Sequence, residues 1–392
     1  MPRRIREKNL LWAPTTGESM STADDTAFIV VAEDGAARAG LLRTAHGTVE
    51  TPVFMPVGTQ ASVKGLDVTD LHKADVTIVL GNAYHLYLRP GHELVAALGG
   101  LHRFMAWDRA ILTDSGGYQI LSLADLLHID EEGALFRSHL DGSRHLITPE
   151  KAMEIQAALG SDIAMVLDEC TPYPVSREEA ARSAHRSLQW ARRCVAHANP
   201  AQAVFGIVQG STYHDIRAWH AEALAELPFA GFALGGLAVG EPKHETMETI
   251  ARAAPLLPRP KPRYVMGMGP PEDLVEGMSL GVDMFDCVVP TRNGRRGTAF
   301  TSRGKVIVKN AQHARSETPL DSGCECPVCT MYSRAYLRHL FAAGELLGPR
   351  LVSLHNVTFF VRVAADARDA IMRGCFPAWK AEFIRRYRSP ED

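Results

Sequence analysis

Three aspartates in this chain each close a short apolar run: Asp114 in "AILTDSGGYQI", Asp168 in "IAMVLDEC" and Asp286 in "VDMFDCVVP". A carboxylate so placed can move a proton, attack carbon, read the edge of a heterocycle or cap the next helix. Several acids in one cavity can also divide the work. Shared burial pushes their pKa values apart into an acid and a nucleophile. The glycines after Asp114 let the backbone come close to a ligand, and Tyr118 is positioned to stack on a planar one.

Beyond Asp286 the chain turns positive. Arg292, Arg295 and Arg296 are followed by Arg303, Lys305, Lys309 and Arg315, with no Asp or Glu between Cys287 and Ser316. The stretch reads as a polycationic loop beside an acid, and a polyanionic substrate fits it. The net charge is −3 and the sequence pI about 6.6, so any polyanion site is a local patch and not a cationic surface. "ALGGLAVGE" is a glycine-rich turn that suits phosphate or a heterocycle, but it lacks the spacing of a P-loop or a dinucleotide fingerprint.

The other constellation is "CECPVC". Cys324, Cys326 and Cys329 can wrap one soft cation, and zinc in a structural site takes a fourth ligand. His355, 26 residues beyond Cys329, is the leading candidate, and His339 competes with it. Seven cysteines, an odd and clustered count, favour a metal over disulfides.

Eight apolar runs, beginning at residues 51, 76, 110, 163, 203, 231, 263 and 282, end in small or polar residues. Runs of this length suit parallel strands buried on both faces. Helical periodicity lies between several of them, as in "PEKAMEIQAALG", "SREEAARSAHRSLQWARRCVAHAN" and "YHDIRAWHAEALAEL". The expectation is an α/β fold, a (β/α)8 TIM barrel, with an open doubly wound sheet as the alternative. A small antiparallel sheet is expected over residues 27–50, and "LFRSHLDGSRHLITPE" reads as a hairpin followed by a helix that Pro149 opens. A zinc-binding insertion follows strand eight at about 290–360. The strand ends then supply Asp114, Asp168, Gln209, Gly235, Gly236, Met266 and Asp286. Residues 1–24 read as a disordered tail ahead of one catalytic domain, 25–392. With no secretory signal and no apolar run of membrane length, a cytoplasmic protein is expected.

Together, "TDSGGYQ", "DEC", "GIVQG", "GGLAVGE", "FDCVVPTRNGR" and "CECPVC…H" resemble bacterial tRNA-guanine transglycosylase, from about residue 27 to the C-terminus. The resemblance implies exchange of guanine at the wobble position of GUN-anticodon tRNAs for preQ1 (7-aminomethyl-7-deazaguanine), through a covalent ribosyl-enzyme intermediate. By the same resemblance Asp286 is the nucleophile on C1′ and Asp114 the general acid/base. Asp168 reads the amino-pyrimidine edge, and Gln209 with the Gly236 amide the carbonyl oxygen. Tyr118 and Met266 sandwich the ring, and the Leu237 backbone accepts from the aminomethyl group. Arg292, Asn293, Arg295 and Arg296 face the tRNA. Cys324, Cys326, Cys329 and His355 hold one structural zinc ion, which favours His355 over His339, and a homodimer is implied.

Val239 stands where the eukaryotic branch has a glycine that admits bulkier queuine, so the resemblance favours preQ1. Two rivals make different demands. A noncatalytic RNA-binding relative is expected to lose one of Asp114, Asp168 and Asp286, and all three are present. A zinc-dependent barrel hydrolase needs histidines at the strand ends, which offer acids, Gln and Gly instead.

Overall fold

The computed structural model describes residues 28–123 and 125–389, so the expected tail at 1–24 lies outside the described residues. Eight parallel strands close into a barrel. They are β1 (Val53–Gly58), β2 (Ile78–Asn82), β3 (Ala110–Asp114), β4 (Ile163–Met165), β5 (Ala203–Val208), β6 (Gly231–Leu234), β7 (Arg263–Val265) and β8 (Met284–Cys287). Each expected run forms one of them. Each pairs with its neighbour in sequence, and β8 returns to β1 in a register running from Met284 against Val53 to Cys287 against Pro56. Closure explains the unbroken apolar runs. Inward side chains fill the barrel and outward ones pack under helices, so β1 and β5 are buried at every position.

The helices start where the local chemistry lets them. Thr148 Oγ1 accepts from Lys151 N at 3.2 Å, and Pro149 occupies the first turn of Pro149–Leu159, where a missing N–H costs nothing. Ser176 caps Arg177–Ala196 in the same way. The hairpin between β3 and β4 pairs Ala134–Arg137 with Arg144–Ile147. A further strand, Asp125–Ile129, widens it to three strands, which the sequence pattern did not announce.

An N-terminal antiparallel sheet, Phe28–Asp34, Ala37–Thr44 and Gly47–Thr51, lies at the strands' N-terminal end. Its Arg38 forms a buried ion pair with Asp283, which also accepts from Arg263 N at 2.7 Å. Asp283 thus ties the sheet to the start of β7 and β8, at the end away from the active cavity.

After β8 the structure departs from expectation. The start of the basic stretch, with Arg292, Arg295 and Arg296, is a helix, Val289–Arg296, and not a loop. Pro290 sits in its first turn and Gly297, at φ 86°, ends it in the left-handed conformation. A two-stranded ribbon, the cysteine cluster and a 26-residue helix, Leu347–Met372, follow. That long helix is buried along much of its length against the basic helix and β1. Among the described residues, no helix is long and apolar enough to cross a membrane.

Candidate active site

A cavity of about 380 Å³ opens at the C-terminal ends of the strands. Its walls include Asp114, Tyr118, Asp168, Gly235, Gly236, Leu237, Met266, Asp286 and Arg292. All but Gln209 of the expected strand-end residues therefore meet on one space. Gln209 is 1% exposed and stands behind that wall, where Nε2 donates to Asp168 Oδ2 at 2.5 Å.

Two acids with opposite fates stand at and just before strand β8. Asp283, the residue before it, is neutralised by Arg38. Asp286, about 10 Å further along at the usual rise per residue, has no cation partner among the described residues. Its Oδ1 accepts from Tyr264 Oη and from Gly267 N at 2.8 Å, and no donor among the described residues engages Oδ2. One oxygen is thus fixed while the other is left for chemistry. Burial raises the pKa of Asp286, against the pull of the two donors. The Tyr264 phenol is itself pushed well up, by burial and then by Asp286, so it remains a donor.

Asp114 ends β3. Its carboxylate accepts from Asn82 Nδ2, from Ala83 N at 3.0 Å and from Gln119 Nε2 at 3.1 Å. Burial outweighs these donors, the charge on Asp286 adds to it, and the pKa is raised to about 7. Such a group is poised to give and take a proton near neutrality. Asp168 is raised to about 6, again mainly by burial, and accepts from Ser115 Oγ at 3.3 Å as well as from Gln209.

The glycines answer to close approaches. A Cβ on Gly117 would lie 2.5 Å from the carbonyl oxygen of Asp168, and one on Gly236 would lie 2.4 Å from Gln209 Oε1. Glu241 clamps the following turn, accepting from Val239 N at 3.0 Å and Thr246 Oγ1 at 2.7 Å. Tyr118, 51% exposed, stands at the rim and Met266 on the wall.

The basic helix starts two residues beyond β8. Arg292 is exposed and lines the cavity, Arg296 is exposed, and Asn293 and Arg295 are half-buried. Behind it, Asn356 Nδ2 donates to Pro290 O and Thr298 O at 2.9 Å each, and its Oδ1 accepts from Phe300 N at 2.9 Å. Gly294 admits the long helix, since a Cβ there would lie 2.7 Å from Ser353 Cα.

His355, next to Asn356, faces the cysteines. Its Nδ1 lies 3.9, 3.5 and 3.3 Å from the sulfurs of Cys324, Cys326 and Cys329. A tetrahedral metal with ordinary zinc bond lengths sets nitrogen and sulfur roughly 3.5 Å apart, so the four groups fit one ion. The other ring nitrogen, Nε2, is 2.8 Å from Phe300 O and donates to it, which frees Nδ1 as a ligand. His339, the competitor, is not part of the cluster. The metal site and the basic helix are therefore tied through adjacent residues of one helix.

Sequence reading missed Asn82, Tyr264, Gly267 and Gln119. Asn82 and Tyr264 stand at or within strands β2 and β7, and only barrel closure brings them to acids 32 and 22 residues away.

A sequence model of the family described as Queuine tRNA-ribosyltransferase matches residues 33–389. The Queuine tRNA-ribosyltransferase of Pelotomaculum thermopropionicum is 54% identical over 91% of this chain and 96% of its own. That of Solidesulfovibrio magneticus is 56% identical over 90% and 96%, and that of Syntrophobacter fumaroxidans 54% over 93% and 99%. With the barrel, the acid-lined cavity and the Cys3His cluster, these matches establish that the chain belongs to the queuine tRNA-ribosyltransferase family, enzymes that exchange guanine in tRNA on the way to queuosine.

Proposed function

We propose that this enzyme replaces guanine at the wobble position of GUN-anticodon tRNAs (those for Asp, Asn, His and Tyr) with preQ1, by double displacement through Asp286. The observation that carries it is the pair of buried acids on one cavity. Asp286 has one oxygen pinned and one unengaged, and Asp114 is held near 7. Asp286 Oδ2 attacks C1′ of the ribose, the C1′–N9 bond breaks, and the bond pair leaves with guanine. Protonated Asp114 supplies the proton that guanine takes. The ribosyl ester then meets preQ1. Asp114, now ionised, accepts the proton from N9–H, N9 attacks C1′ and Asp286 is released. Two displacements at one carbon give net retention, as in retaining glycosidases.

The base must leave its stack to enter a barrel mouth. Asp168 accepts from the amino-pyrimidine edge, Gln209 and the Gly236 amide address the carbonyl oxygen, and Tyr118 and Met266 cover the ring faces. The Leu237 carbonyl accepts from the aminomethyl group. That carbonyl is turned from Glu241, because the Ala238 N–H of the same peptide donates to Glu241. Arg292, Asn293, Arg295 and Arg296 hold phosphates beside the flipped base.

The Cys3His set suits one zinc ion that pins the insertion, with all four positions filled by protein and none left for substrate. We also propose a cytoplasmic homodimer that associates near this region. The exposed side chains of Met331, Tyr336 and Leu346, in the segment between Cys329 and His355, support that surface.

The test is labelled-guanine exchange into unmodified GUN-anticodon tRNA, wild type against Asp286→Ala. Loss of exchange is expected, and full activity in the variant overturns the assignment.

A further inference from the structure

Arg217 is 1% exposed, on the helix His214–Ala225, and it meets backbone carbonyls where a buried cation ordinarily meets a carboxylate. Nε donates to Ser211 O, Nη1 to Val208 O at 3.1 Å, and Nη2 to Gly235 O at 2.8 Å and, at the limit of a hydrogen bond, to Gly236 O at 3.5 Å. A buried charge is costly unless its donors are well used. Here they hold the end of β5 against the turn after β6. The fit is close: a Cβ on Gly210 would lie 3.0 Å from Arg217 Cγ.

The consequence lies on the other side of the peptide. In a trans peptide the C=O and the following N–H point in opposite directions. Arg217 takes the Gly235 carbonyl from behind the cavity wall, so the Gly236 N–H is turned toward the cavity that Gly235, Gly236 and Leu237 line. The weaker contact to Gly236 O turns the Leu237 N–H the same way. Neither N–H has an acceptor among the described residues, whereas the next two, on Ala238 and Val239, are taken by Glu241. Two adjacent donors are thus presented to a ligand, with a buried guanidinium behind them.

We propose that Arg217 is a positioning residue: it holds the Gly236 amide, which the base-exchange reading already directs at the carbonyl oxygen of the base, and sets the Leu237 amide beside it, so that discrimination in favour of purines carrying a 6-oxygen depends on Arg217. This rests on the base-exchange reading above and deepens it. When the C1′–N9 bond breaks, the pair left on the purine spreads onto that oxygen. Fixed donors backed by a cation then bind the departing base more tightly than the ground state.

The experiment compares guanine with 2-aminopurine, the same base without the 6-oxygen, on the full chain. Binding is read by calorimetry and exchange by kinetics, for wild type, Arg217→Lys and Arg217→Gln, with thermal melts to confirm folding. Both variants should lose at least tenfold in guanine affinity and raise KM for guanine. Their affinity for 2-aminopurine and KM for tRNA should change less than twofold. Equal proportional losses for the two bases, or no loss for guanine, overturn the proposal. Wild type that fails to exchange guanine at all contradicts the base-exchange reading instead. If neither variant folds, hydrogen exchange on wild type decides. The Gly236 and Leu237 amides should gain protection with guanine and not with 2-aminopurine, and equal protection or none overturns the proposal.

Discussion

Tyr264→Phe removes one of the two donors on Asp286 Oδ1 and leaves the Gly267 N–H, at 2.8 Å, in place. The ring stays, so packing around this fully buried side chain is nearly unchanged. A hydrogen bond to a charged group contributes about 1.5–3 kcal/mol, or about 10- to 150-fold in an equilibrium. The bond favours the ionised carboxylate. Asp286 is already pushed upward by burial, so losing the bond moves it further toward the protonated, inert form. The deficit is therefore pH-dependent. On the acid side, kcat/KM for tRNA should fall by about 10- to 150-fold. On the alkaline side, where Asp286 ionises in either protein, the rate should return toward wild type. The assay is guanine exchange across the pH range, with tRNA affinity measured separately. A loss of the same size at every pH, or no loss, refutes the inference that Tyr264 keeps the nucleophile ionised.

Asp114, held near 7, should give kcat/KM for tRNA an alkaline limb that falls as pH rises through about 7 and that disappears in Asp114→Asn. Because folding retains that proton, its contribution to stability is present at acid pH and lost as pH rises through about 7, so thermal melts of wild type and Asp114→Asn should diverge across that window. Arg292→Ala and Arg295→Ala should weaken tRNA binding and reduce its salt dependence, by about one unit of slope per lost phosphate contact, while Asp286→Ala abolishes chemistry and spares binding. Val239→Gly should widen acceptance from preQ1 toward queuine, read as the ratio of kcat/KM values, since Val239 lines the cavity. Cys326→Ser should lower bound zinc and increase amide exchange in Val289–Arg296, because His355 and Asn356 are neighbours on one helix. Unchanged zinc content refutes the ligand set.

The barrel was legible because each strand is buried on both faces and so writes an unbroken apolar run. Its polar ends pointed to Asp114, Asp168 and Asp286 for the same reason. Asp286 was legible from its place at the end of its run, but the ion pair of Asp283, three residues earlier, was not, because Arg38 lies 245 residues away in sequence. Tyr264 and Asn82 were hidden by barrel closure, since a tyrosine or asparagine in an apolar run carries no mark of the acid it will meet. Arg217 was invisible for another reason. It lies within a helix of weak amphipathicity, where an arginine is expected in solvent, and its partners are backbone carbonyls that no side-chain pattern records. The start of the basic stretch was misjudged as a loop because it carries few apolar residues and has a proline and a glycine among its eight. Its helix rests on Pro290, Gly297 and the contact of Gly294 with Ser353.

The central claim is that Asp286 becomes covalently bonded to the ribose. The direct measurement incubates the enzyme with unmodified GUN-anticodon tRNA, resolves it on a denaturing gel, and maps the retained RNA by mass spectrometry. The account predicts an adduct that survives denaturation, lies on the peptide containing Asp286, and is missing in Asp286→Ala. An adduct on another residue, or one that forms equally in Asp286→Ala, contradicts it.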